Sequence, residues 1–198
     1  MLTSLQAVNR MLAAVPIAQV SSLSLPKDPV TVQAIEVLSE ARRWFLLFGW
    51  EFNREDEIEL TPNVSDEIDL PSTYMSIETV TYHRLEKRIV QRGAKLYNAT
   101  DHTFTFDGPV KINALIDVAF EDMPDAAQEA VVAEAARRLK YLISPEATAL
   151  RALSEIAQMA FTNARVSEQR SGNFNAKDDY LVATSTLRTQ RRRGPYVR

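Results

Sequence analysis

The apolar residues of this chain change period twice, and that constrains the fold more than any other feature. Up to Gly49 they recur every three or four positions, then every second position to about residue 120. From Pro124 onward the longer spacing returns. A period near 3.6 marks an amphipathic helix, and a period of two marks a half-buried strand. The order predicts an α+β fold, with a helical body of about four helices from residues 1–49 and 121–170. An antiparallel β domain is inserted over residues 50–120, and residues 171–198 form an extended basic C-terminal arm.

Local signals refine this. Thr3 is placed to cap the first helix with Gln6 reaching back, and Leu5, Val8, Leu12 and Val15 share a face. Pro16 and the Ser21–Pro26 stretch end it. Asp28 followed by Pro29 is a second helix start. Ala34, Val37, Leu38, Ala41, Trp44, Phe45 and Phe48 then make one apolar face, with Gly49 as the stop. The aromatic group Trp44, Phe45, Phe48, Trp50 and Phe52 reads as core, with a ligand pocket as the alternative.

In the β region Ile58 and Leu60, Ile68 and Leu70, and Phe104 and Phe106 alternate with polar residues. Lys111–Phe120 places Ile112, Ala114, Ile116, Val118 and Phe120 on one side. Turn signals at residues 98–101 and at Asp107-Gly108-Pro109 predict a meander of Leu96–Asn98, His102–Phe106 and Val110–Phe120. Asp122 is the expected cap of the third helix, whose buried stripe is Val132, Ala135, Ala136, Leu139, Leu142 and Ile143. Ser144-Pro145 starts a fourth, with Leu150, Leu153, Ala157, Phe161 and Ala164 on one face, fading near Arg170.

Composition removes several function classes. With no cysteine among 198 residues there is no disulfide, thiolate nucleophile, iron–sulfur cluster or cysteine-based zinc site. Only His83 and His102 are present, too few for a histidine metal cage, and neither sits in a catalytic motif. No metal or cofactor is expected. The start lacks a signal-peptide pattern, and the longest apolar run, Trp44–Phe48, is far short of a membrane span. A soluble protein made in the cytosol is expected.

Charge is unevenly spread. Residues 51–70 hold eight acids and one arginine, whereas residues 180–198 hold five arginines and no acid, within a net charge of −3. The arginines are Arg188, Arg191, Arg192, Arg193 and Arg198. Such a tail reads as an interaction arm for DNA phosphates or for an acidic protein surface, or as a solubilising end. Paired carboxylates at Glu55-Asp56-Glu57, Asp66-Glu67 and Glu121-Asp122 raise a glycosidase alternative. Carboxylates close in sequence are more often a solvated face. There is no glycine-rich phosphate loop and no nucleophile elbow, so no enzyme activity is expected.

Several short motifs then occur in a familiar order. They are Ala7-Val8-Asn9 with Met11-Leu12, Phe48-Gly49-Trp50-Glu51-Phe52-Asn53, and Ile58-x-Leu60-x-Pro62. Leu70-Pro71-x-x-Tyr74 and Leu96-Tyr97-Asn98 follow, then Phe120-Glu121-Asp122-Met123-Pro124, and last Ala135-Ala136-Arg137-Arg138. In this order the chain resembles the tail tubular protein A family, the head-to-tail adaptors of short-tailed bacteriophages. The resemblance runs from residue 5 to about 170 and does not extend to the arginine arm.

The resemblance implies a structural virion protein at the head-to-tail junction. It implies a homo-oligomeric ring of twelve copies joining the capsid portal protein to the tail nozzle (tubular protein B), with tail fibres as a further partner and genomic DNA passing through the channel. An acidic lumen would keep DNA from sticking. Glu55, Asp56, Glu57, Glu59, Asp66, Glu67 and Asp69 are the candidates for that lumen or for an intersubunit contact. The arm arginines are candidates for docking to the portal or a neighbouring subunit. A DNA-binding protein using its basic tail, or a cell-wall hydrolase using paired carboxylates, are the alternatives.

Overall fold

The structure, a computed structural model, describes residues 1–24, 28–81 and 88–171. Its four helices are α1 (Ser4–Ala14), α2 (Pro29–Leu46), α3 (Asp125–Ile143) and α4 (Ala147–Ser171). The strands are β1 (Arg54–Leu60), β2 (Tyr74–Thr81), β3 (Ile89–Arg92), β4 (Lys95–Asn98) and β5 (Val110–Ile116). This is an α+β fold, as the change of period predicts.

The helix starts follow their capping chemistry. Thr3 and Gln6 form a reciprocal capping box, which satisfies two of the backbone N–H groups that a helix start leaves free. At α2 the Asp28 carboxylate accepts from the Thr31 backbone N–H at 2.9 Å, and Pro29 occupies the first turn. The α3 start differs from expectation. Asp122 belongs to a 3-10 turn over Phe120–Asp122, and Pro124 takes the cap position. Proline sets its own backbone angle there and needs no side-chain bond.

The α2 face is also narrower than its spacing suggests. The helix ends at Leu46, and Gly49 follows at φ +72°. Phe45 is fully buried, whereas Phe48, beyond the last helical turn, is 56% exposed and Trp44 is 37% exposed. Leu142, expected in the α3 stripe, is likewise exposed.

The strands are not a simple meander. β5 is the centre of a three-stranded antiparallel sheet ordered β1-β5-β2, and β3 and β4 form a separate hairpin. His102–Phe106 contributes isolated bridges, Asn98 to Thr103 and Glu67 to Thr105, instead of a strand. β5 stops at Ile116, since the chain must leave the sheet for Phe120 to enter the helical core. The central position of β5 accounts for its strong alternation: Val110, Ile112 and Ala114 are all buried.

Two hydrophobic clusters result. The larger joins α1, α2, α3 and one face of α4 around Met11, Phe45, Met123, Val131 and Leu139. The smaller lies under the strands, around Ile68, Leu96, Phe106 and Ile112. Helix α3 lies at the centre of the first, packing on α1, α2 and α4.

Candidate functional site

Three features stand out: the joint between helices and sheet, an acid-bearing edge strand, and an aromatic cleft. The joint is built by the Phe48–Asn53 segment. Gly49 lets the chain reverse at positive φ, with its missing side chain facing Leu115, whose nearest carbon would lie 3.3 Å from a Cβ. Trp50 then stacks on Phe45 with ring centroids 4.3 Å apart, and its indole N–H donates to the Phe45 carbonyl at 2.7 Å. Buried Asn53 accepts from the Trp50 N–H at 2.9 Å and donates to the carbonyls of Leu46 at 3.0 Å and Ile116 at 3.2 Å. One side chain thus ties the end of α2 to the end of β5.

A second tie lies at Phe120–Pro124. Gln128, fully buried on α3, donates to the Phe120 carbonyl at 2.8 Å and accepts from the Leu2 N–H at 2.7 Å. Beside it Glu121 accepts from the Ser4 N–H at 2.9 Å and from the Ser4 hydroxyl at 2.5 Å. Those bonds, outweighing partial burial, hold the Glu121 carboxyl below its usual range. It is an acceptor tied to Ser4, and a lowered carboxyl does not suit a proton donor.

The sequence-predicted acids fall into two groups. Glu55, Asp56, Glu57 and Glu59 are exposed on β1, an edge strand whose ladder partner is β5. A bulge between Glu55 and Ile58 places Glu57 at φ 56°, where its N–H donates to the Asn113 side chain at 3.0 Å. Charged side chains and a bulge are also the usual protection of an exposed sheet edge. Asp66, Glu67 and Asp69 belong to the segment after β1. Glu67 pairs with Lys95, and Asp69 accepts from the Asn63 amide at 2.8 Å. Among the described residues no cluster of acids or histidines has metal-holding geometry. His102 is exposed in a turn at φ 55°, while His83 and the arm residues Arg188, Arg191, Arg192, Arg193 and Arg198 lie outside the described residues.

The aromatic cleft is about 440 Å³ and opens between α2, α3 and α4, with Trp44, Phe48 and Phe161 among its walls. Phe48 meets Trp44 edge-on at 5.0 Å and Phe161 at 5.1 Å. Glu134 lies on its α3 wall. Burial pushes that carboxyl up, but Arg137 at 2.7 Å and Arg138 at 2.7 Å outweigh it and hold the group below its usual range. The Arg138 guanidinium also sits 5.1 Å from the centre of the Trp44 ring. The aromatic group is therefore divided: Phe45 and Trp50 are core, and Trp44 and Phe48 line an open cleft.

The arrangement offers exposed acidic and aromatic surfaces. Comparison with known proteins gives the class. The profile of the tail tubular protein family (Tube) matches residues 5–196, nearly the whole chain. The chain belongs to the tail tubular protein family. It is also 28% identical over 123 residues to a protein named Tail tubular protein A from Klebsiella phage KP34. That alignment covers 62% of this chain and 63% of the relative, so the chain spans less than two thirds of the length of the curated relative it matches. The protein is thus a structural component of a bacteriophage tail, from a family that is not an enzyme family. Among the described residues no helix is long and apolar enough to cross a membrane.

Sequence reasoning missed one surface. Helix α4 carries, besides its buried face, an outward stripe with Ile156 54% and Met159 66% exposed, and Val166 exposed beyond them. The signal was present as a second apolar series at the same three-and-four spacing.

Proposed function

We propose that this tail tubular protein is the head-to-tail adaptor of its virion: a twelve-copy ring beneath the portal that binds the nozzle and passes DNA through its channel. The match to the family profile over residues 5–196 carries this reading. Two different protein faces are needed, and the α+β division supplies them: a helical body (residues 1–49 and 121–170) and the inserted β region (50–120). The exposed acids of β1 suit a channel wall or a contact between copies, since like charge disfavours DNA adhesion. The arm with Arg188, Arg191, Arg192, Arg193 and Arg198 is proposed to dock on the portal or a neighbouring copy. Tail fibres are a further proposed partner, and catalysis has no proposed part.

Co-sedimentation with the cognate portal protein tests the reading. A portal-sized complex with added stoichiometric mass, seen as an extra ring by electron microscopy, is expected. No association with an intact portal overturns it. Salt-sensitive binding to short duplex DNA would then favour a DNA-binding role. Turnover on glycan or peptidoglycan, lost on a single carboxylate substitution, would favour a hydrolase.

A further inference from the structure

Two exposed apolar features of the helical body have no partner within the chain as described, and they are complementary. One is a ridge on α4. Ala149, Ala152, Ile156, Met159, Asn163 and Val166 follow a three-four spacing, the pattern of a helix face that packs on another protein surface. The other is the cleft walled by Trp44, Phe48 and Phe161.

Their placement around α4 decides how they can meet. At about 100° per residue, Ser154, Gln158 and Phe161 on the cleft side lie about 40–100° to one side of buried Ala157. Ile156 lies about 100°, and Met159 about 160°, to the other side. Ridge and cleft therefore face away from each other, and one molecule cannot close the contact on itself. A protrusion and a recess at different places on one surface generate a head-to-tail contact, which closes into a ring when the rotation permits.

The chemistry agrees. A thioether and a branched aliphatic chain suit an aromatic-walled cleft, because sulfur packs favourably on ring edges. Arg137 and Glu134 lie on the cleft wall, and Arg138 beside them pairs with the same carboxylate, so two guanidiniums share one acid there. The ridge carries Glu155 next to Ile156, paired in the free chain with exposed Arg151 at 3.4 Å. Inserting the ridge brings that acid toward the two guanidiniums.

We propose that Ile156 and Met159 of one copy enter the Trp44–Phe48–Phe161 cleft of the next, making the contact between neighbouring subunits. The closed form of this contact rests on the ring reading above. The pairwise contact is tested separately.

The chain has no cysteine, so single cysteines report cleanly. Full-length Met159→Cys and Ser154→Cys proteins are mixed at tens of micromolar and treated with a short bis-maleimide. Cross-linked dimer is expected in the mixture, several-fold above either variant alone, and lost when Phe48→Ser is added to the Ser154→Cys chain. Both tested side chains are exposed, and thermal melts of each variant verify that the fold persists. Cross-linking of Met159→Cys alone at the mixture's yield would mean ridge-to-ridge pairing and overturns the proposal. No cross-link in any sample, whether the ridge is bare or covered by the chain's own C-terminal segment, overturns it too. Electron microscopy of portal-bound protein judges the ring independently, so a ring without this cross-link refutes only the contact.

Discussion

Replacing Gln128 with methionine, its nearest apolar counterpart in shape, isolates one polar tie in the helical core. The Phe120 carbonyl loses its 2.8 Å donor in a site where Phe120 is buried, and the Leu2 N–H loses its 2.7 Å acceptor. The Phe120 carbonyl keeps the Met123 N–H at 3.3 Å, so each of the two lost bonds costs about 1 kcal/mol, the usual net worth of one hydrogen bond. A destabilisation of about 2 kcal/mol follows, equivalent to a melting temperature lower by about 6 °C for a chain of this size. Urea unfolding followed by tryptophan fluorescence measures it, because the two tryptophans, Trp44 and Trp50, both adjoin the helical cluster. Arg10→Met is the control: it removes an exposed pair with Glu129 and is expected to change stability by less than about 1 kcal/mol. A Gln128→Met protein as stable as wild type would refute the reasoning, since the amide would then be dispensable to Phe120.

Three further outcomes are expected. Gly49→Ala forces a side chain into a left-handed backbone and toward Leu115, costing about 1–2 kcal/mol by urea titration; an unchanged midpoint would show that the joint relaxes freely. Glu134 has a folded-state pKa below its ordinary value of 4.5. Its contribution is therefore complete above that value and is lost as pH falls through the lower, folded one. Glu134→Gln should flatten the acid end of the stability–pH curve, and an unaltered acid limb would assign that loss to other carboxylates. Thr3→Ala opens the α1 capping box and should cost about 1 kcal/mol, read as a lower melting temperature.

Much of this protein is legible in its sequence because the deciding physics is local. Thr3 and Asp28 start their helices through bonds to Gln6 and Thr31, three positions away, so the pattern and the outcome share a window of one turn. The same holds for the alternation of Ile112 and Ala114, which lie on the one strand paired on both sides. Asp122 failed as a cap because Phe120–Asp122 is held as a turn, with Phe120 drawn into a core assembled from distant residues. Strand order failed as well: whether β5 pairs with its neighbour in sequence or with β1 and β2 depends on long-range register, which alternation does not encode.

By itself the sequence determined the fold class, the starts of α1 and α2 and the family, since all three reside in residue order and short spacings. Only the tertiary structure decided which apolar residues remain outside. Trp44 and Phe48 share a spacing with buried Phe45, and Ile156 and Met159 share a helix with buried Ala157. Whether such residues become core or contact surface depends on where α3 packs, because burial belongs to the assembled layers and not to any segment of the chain.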